Sequence, residues 1–345
     1  MPSRADITKE LGEIRLEGQQ MAVGAIDTIR RRYLKELAEY TGRNTVIYAA
    51  NQQPIVPEDI RGFMTAFHEL KGDKLDLIIH SGGGSSDATE QIVAYARKKF
   101  THIRALIPER AMSAATMLAC ACDEIVMGKQ SAIGPIDPQF TINGASVPAY
   151  AILEDFNRAV ADVRADPKTA ALWVPKLNKI PHGLISLCEQ TIARSEELVK
   201  KWLIEYSKKT EDEATAIAHW LASYVHKSHG KPIDALQARE KGLNIVLLED
   251  DQKLQDKLLS VFHSTVLTFE TNPCLKMTEN HLGNGYYLVQ QQQFHMMPQQ
   301  PFPPQVPFPF PLPIPQQPPI VIPPQPAPIE PTPPPPAPQP ELPGT

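Results

Sequence analysis

Cysteine is scarce in this 345-residue chain, and the four present are not where cysteine chemistry needs them. Cys120, Cys122, Cys188 and Cys274 make no C-x-x-C pair, which leaves neither a disulfide framework nor a zinc ribbon. Cys120 and Cys122 fall two apart on a predicted helix and point to different faces, so reduced, mostly buried thiols of a cytosolic protein are expected. Long apolar runs are missing too: nothing approaches the roughly 18 residues that span a bilayer, and Met1-Pro2-Ser3-Arg4-Ala5-Asp6 lacks the apolar stretch of a signal peptide. A soluble, cytoplasmic protein without a membrane span is therefore expected. Excess positive charge is also missing. The formal net charge is -5, with Lys and Arg scattered rather than striped, which argues against nucleic acid as a partner. The densest basic spot, Arg30-Arg31-Arg32, sits in a mixed helical pattern and reads as a solvated helix face. No His/Cys/Asp/Glu cluster has metal-ligand spacing, so no metal is expected.

Proline, by contrast, is abundant, with 35 residues concentrated at one end. After a run from Gln290 to Gln293, Pro298 to Pro343 alternates proline with Gln, Phe, Ile, Val and Ala. No helix or sheet tolerates that density of missing N–H groups, so residues 290–345 read as a disordered, polyproline-II-like tail. Pro301-Phe302-Pro303-Pro304, Pro315-Gln316-Gln317-Pro318 and Pro333 to Pro336 offer registers for an SH3- or WW-type partner. A plain spacer is the alternative. The expected organisation is an N-terminal helix (1–40), a folded domain (41–289) and the tail (290–345).

Within the central part, short apolar runs alternate with helical patterns. The first strands are Thr45–Ala50, Leu75–His80, Ile103–Ile107 and Glu124–Met127, with Ser131–Gly134 a fifth. Helices over Pro57–Glu69, Ser86–Phe100 and Ser113–Cys122 fall between them. Strands joined by helices through short connections argue for parallel βαβ units and an α/β sheet covered on both faces. The second half is more helical, with one further strand over Gly242–Leu248.

Two strand ends carry the chemistry. Leu75 to His80 runs into Ser81-Gly82-Gly83-Gly84, and Ile103 to Ile107 leads to Ala111-Met112-Ser113-Ala114-Ala115-Thr116. Glycines let backbone N–H groups approach an anionic oxygen closely. A phosphate loop needs Gly-Lys-Ser/Thr, but Ser85-Ser86-Asp87 follows; a dinucleotide loop needs a third glycine where Asp87 stands. Both nucleotide readings fail, which leaves an oxyanion hole or a glycine turn without a ligand. Ser113, taken alone, reads as a helix N-cap. Its small neighbours leave room for a carbonyl, and the helix start supplies the Ala114 N–H and a favourable dipole.

Together these segments resemble the Clp proteolytic subunit and signal peptide peptidase A superfamily and, more narrowly, the serine dehydrogenase proteinase family. Further segments carry the resemblance: Thr41-Gly42-Arg43-Asn44, Ala88-Thr89-Glu90, Gly134-Pro135-Ile136-Asp137-Pro138-Gln139, Ser228-His229-Gly230-Lys231-Pro232-Ile233 and Glu249-Asp250-Asp251. The resemblance spans roughly Thr41 to His281. It implies a ClpP/crotonase-like α/β spiral of ββα units, an ATP-independent serine endopeptidase activity and a homo-oligomer. It also implies a nucleophile at Ser113 with Gly83, Gly84 and Ala114 as oxyanion donors. One departure is Gly82, where the family's usual turn has proline. Nothing in the chain supports a nicotinamide or pyridoxal site, so no cofactor is expected.

The base is the open question. The Clp-type histidine would fall near Pro135-Ile136-Asp137, and no lysine of the signal-peptide-peptidase type occurs between Lys129 and Lys168. His229 as base with Asp137 as orienter would rebuild a triad from exchanged positions. His226, His182 and Lys168 are weaker candidates, and His80 reads as a satisfied core histidine. A catalytically silent scaffold that binds extended peptides and recruits partners through the tail is the alternative function; acyl-CoA chemistry in the same oxyanion hole is a third.

Overall fold

The computed structural model describes residues 4–17, 24–142, 144–223 and 228–290. The second compact unit, Gln293–Thr345, lies outside them, and with it the expected tail and its partner registers; so does His226. Helices α1 (Arg4–Glu17) and α2 (Ala25–Thr41) precede strand β1 (Asn44–Ala50). Then α3 (Asp59–Phe67), β2 (Lys74–His80), α4 (Ser86–Lys99) and β3 (His102–Ile107) alternate, followed by β4 (Arg110–Ala111), α5 (Ala114–Cys120), β5 (Glu124–Met127) and β6 (Ala132–Ile133). An antiparallel pair, β7 (Gln139–Ile142) and β8 (Ala145–Pro148), leads to α6 (Ala149–Ala165), α7 (Ala170–Leu177), α8 (Leu184–Glu205), α9 (Glu211–Ala222) and α10 (Ala235–Glu240). β9 (Ile245–Leu247), α11 (Gln252–Thr271), β10 (Cys274–Asn280) and β11 (Gly285–Val289) follow.

Seven strands form the main sheet in the order β11-β10-β1-β2-β3-β5-β9. From β1 to β9 the pairs are parallel, while β10 runs antiparallel to both β1 and β11. The apolar runs serve both faces, because successive side chains point to opposite sides. Leu77, Ile79, Ala105, Ile107, Ile125 and Met127 enter the core that also holds α4, α5 and α9 residues. Ile78, Leu106 and Val126 enter the opposite one with Ile29, Leu34 and Val261. Burial of these uncharged side chains on both faces is the main stabilising term. All four cysteines are free and buried, and burial pushes the Cys120 and Cys122 thiols up to about 12.

Two expectations need correction. The basic triplet is only partly a solvated face: Arg31 and Arg32 are exposed, Arg30 is not. Arg30 is fully buried, bonded to Glu279 at 2.8 Å, Asp27 at 2.7 Å and Thr268 at 2.7 Å, and Arg31 reaches the same Glu279 at 2.6 Å. The charges clamp α2 onto β10. The strands β10 and β11 are also absent from the sequence reading. Lys276 and Glu279 break the apolar pattern of β10, yet both are buried because Lys276 pairs with Asp59 at 2.8 Å and Glu279 with the arginines. Among the described residues no helix is long and apolar enough to cross a membrane.

Candidate active site

β2 and β3 are neighbours in the parallel sheet, so the loops leaving their C-terminal ends emerge side by side. Ser81 joins them. Its N–H donates to the Arg110 carbonyl at 3.1 Å, and its own carbonyl accepts from Met112 N–H at 3.0 Å. This short parallel contact brings the glycine loop alongside the segment that carries Ser113.

The fit at the glycines is tight. A Cβ on Gly83 (φ +97°) would lie 2.5 Å from Met112 O, 2.7 Å from Ser113 Cβ and 3.0 Å from Ala114 N. Gly83 therefore lies directly against the serine. Gly84 (φ +151°) is bridged to Ile55, whose N–H donates to Gly83 O at 2.8 Å and whose carbonyl accepts from Ser85 N–H at 2.9 Å. In a parallel bridge of this kind the central residue's own N–H and C=O point away from the partner strand. Gly84 thus turns its N–H to the side opposite Ile55. Gly83 is engaged locally: its N–H donates to Ser81 Oγ at 3.1 Å, and Ser81 is fully buried.

Ser113 occupies the N-cap position of α5 but does not act as a cap. Its backbone is at φ +54°, ψ −121°, and its side chain makes no capping bond. A non-glycine residue held in that region costs about 1–3 kcal/mol, which the surroundings must supply. Thr116 does so in part, donating to Ala111 O at 2.7 Å and accepting from Gly134 N–H at 3.0 Å. Ala114 N–H, first in the helix, has no carbonyl one turn back within it.

Asp137 and His229 are ninety-two residues apart in sequence and 2.8 Å apart in space, Nδ1 to Oδ1. A pair of hydrogen bonds between Ile133 and Ile233 (3.0 and 2.9 Å) ties the loop after His229 to β6, from which the chain runs on to Asp137. Asp137 is buried and also accepts from Gln139 Nε2 at 2.6 Å; the His229 side chain is 28% exposed. With Nδ1 donating to the carboxylate, the Nε2 lone pair is left to accept a proton. Gly83, Gly84, Ser113 and Ala114 line one cleft of about 890 Å³, and Asp137 and His229 line the same cleft. Among the described residues no hydrogen bond links Ser113 Oγ to His229. Lys168 and His182 are exposed on the helical segment and do not line the cleft.

His80 is buried, as a core histidine should be, but it is not satisfied: its Nδ1 has no hydrogen-bond partner. Burial, aided by the charge of Arg110, pushes it down to about 4, so it is neutral. The carboxylate of Glu109, 3.9 Å away, does not make an ion pair with it. Sequence reasoning passed over the hydroxyl of Ser81 as a loop member; the signal was a serine directly ahead of three glycines.

Comparison with known proteins adds a family. Residues 55–256 match the model of the ClpP-like SDH-type serine proteinase. Two uncharacterised proteins of Methanocaldococcus jannaschii are similar. MJ1495 is 30% identical over 63% of this chain and 71% of its own length, and MJ0137 is 26% identical over 66% and 76%. Among solved structures, the membrane-bound stomatin-specific protease 1510-N, in a mutant form, aligns with 62% of this chain and 84% of its own (TM-score 0.37, 16% identity). A ClpP1 mutant from Listeria monocytogenes aligns over 64% and 99% (TM-score 0.33, 11% identity).

Proposed function

The chain belongs to the ClpP-like SDH-type serine proteinase family, and from that premise we propose that it is a serine endopeptidase that works without ATP and uses Ser113 as nucleophile. The observation that carries this reading is a strained serine whose hydroxyl is not spent on capping, in one cleft with a carboxylate-oriented imidazole. In the proposed reaction the Ser113 hydroxyl attacks a peptide carbonyl while His229 Nε2 takes its proton. Asp137 holds the imidazole in the required tautomer and stabilises the imidazolium. The carbonyl oxygen becomes an oxyanion, and the N–H groups of Ala114 and of the Gly83–Gly84 turn stabilise it. Of the two glycines, Gly84 is the better donor, because Gly83 N–H is held by Ser81. His229 then returns the proton to the leaving amine, and water repeats the sequence on the acyl-enzyme.

The reading extends to a cytoplasmic homo-oligomer, which size-exclusion chromatography with light scattering would test. The catalytic test is labelling with a fluorophosphonate. Native protein should label, Ser113→Ala should not, and His229→Ala and Asp137→Asn should label at least about a hundredfold more slowly. A second reading, a silent scaffold that grips extended peptides, is favoured by the missing hydrogen bond between Ser113 and His229. Equal absence of labelling in folded native protein and Ser113→Ala would put it first.

A further inference from the structure

The charged groups of the cleft differ in their partners. Asp137 is hydrogen-bonded to His229 at 2.8 Å. Arg194, on α8, is matched twice, by Asp87 at 3.0 Å and Glu90 at 2.7 Å. One more cation lines the cleft, Arg110 on β4, three residues before Ser113. Among the described residues no carboxylate lies within ion-pair distance of it. The carboxylate of the preceding residue, Glu109, stands 3.9 Å from His80 Nδ1 and outside ion-pair distance of Arg110. The charge is felt locally, because together with burial it holds His80 neutral. Ala111 is fully buried, and alternation along β4 turns Arg110 to the other side, where it is exposed at the cleft wall.

We propose that Arg110 forms a subsite for a substrate carboxylate, so that the cleft prefers peptides carrying an acidic group near the scissile bond. This rests on the peptidase reading of the cleft for its substrate class, but binding tests it independently of turnover. A guanidinium is permanently charged and presents a planar fork that matches a carboxylate with two parallel hydrogen bonds. A lysine side chain of the substrate would instead meet an unmatched positive charge. The carboxylate comes from one of two sources, an Asp or Glu side chain or a free C-terminus.

The experiment uses full-length Ser113→Ala protein and fluorescently labelled extended peptides. A single Glu is moved along the peptide, each version is compared with its Gln counterpart, and free and amidated C-termini are compared. At low salt, one Glu position should bind about tenfold more tightly than its Gln match, the gain of a charge-assisted bond, and added salt should shrink the difference. A gain confined to the free C-terminus assigns the terminal carboxylate instead. Arg110→Gln should erase the difference and Arg110→Lys should restore part of it. Equal binding of all matched pairs, no measurable binding of any, or a preference that survives Arg110→Gln overturns the subsite. Fluorophosphonate labelling of the native protein reports separately: a carboxylate preference without labelling removes the peptidase reading and leaves the subsite in place.

Discussion

At the scale of single residues, the site depends on a few contacts that leave little room. Gly83 lies so close to Met112 O and Ser113 that a methyl group cannot be added without moving the loop. Gly83→Ala should fold yet lose about a hundredfold in fluorophosphonate labelling rate, the scale expected when an oriented site shifts by an ångström. Ser81 acts one step back, through its bond to Gly83 N–H. Ser81→Ala should lower kcat by about tenfold with KM nearly unchanged and cost about 1 kcal/mol of stability in urea titration. An equal rise in KM with kcat unchanged would show that Ser81 serves binding rather than loop position. Ser113 and the glycine loop were legible in the sequence because each is local, a small-residue strand end. The bond between Ser81 and Gly83 was not, since a side chain's choice of partner depends on the turn.

At the scale of elements, buried charge does what apolar burial does elsewhere. Arg30 on α2 reaches Glu279 on β10 and Thr268 on α11, so one guanidinium ties two helices to a strand. Arg30→Ala would leave Glu279 buried with only Arg31 and Tyr287 against it. Breaking such a pair from one side costs about 3–5 kcal/mol, and urea unfolding monitored by circular dichroism should show a loss at the lower end of that range. Sequence patterning missed β10 for the same reason. Lys276 and Glu279 read as surface residues until their partners, more than two hundred residues away, are known. The parallel strands β1, β2, β3 and β5, by contrast, carry apolar runs over most of their length, broken only by Asp76 in β2 and Arg104 in β3, and were placed to within a residue or two. β7 and β8 were missed because neither of these short strands contributes a fully buried residue.

At the scale of the whole molecule, pH links the site's surroundings to global stability. His80 has an ordinary value of 6.5 and is held at about 4 in the fold. The unfolded chain therefore binds the proton first as pH falls. Stability from this group is fully present above about 6.5 and is lost progressively as pH drops towards 4. The lost contribution is about 3 kcal/mol. His80→Leu should flatten the urea-unfolding free energy between these limits; a slope unchanged by the substitution would assign the pH dependence to other groups.

The amino-acid order alone set the fold class and the two loops of the candidate site: an α/β core of the ClpP/crotonase-like type, in agreement with the family match, and the two strand ends beside Ser113. Period-two and helical patterns, glycine runs and small residues are short-range signals, legible wherever they occur. Tertiary structure decided the rest. It placed Asp137 against His229 through the bridge between Ile133 and Ile233, buried Arg30, and left Arg110 with no carboxylate among the described residues within ion-pair distance. Each of these depends on which distant segment fills the space opposite, and a charged side chain carries the same letter whether it meets water, a carboxylate or an open cleft.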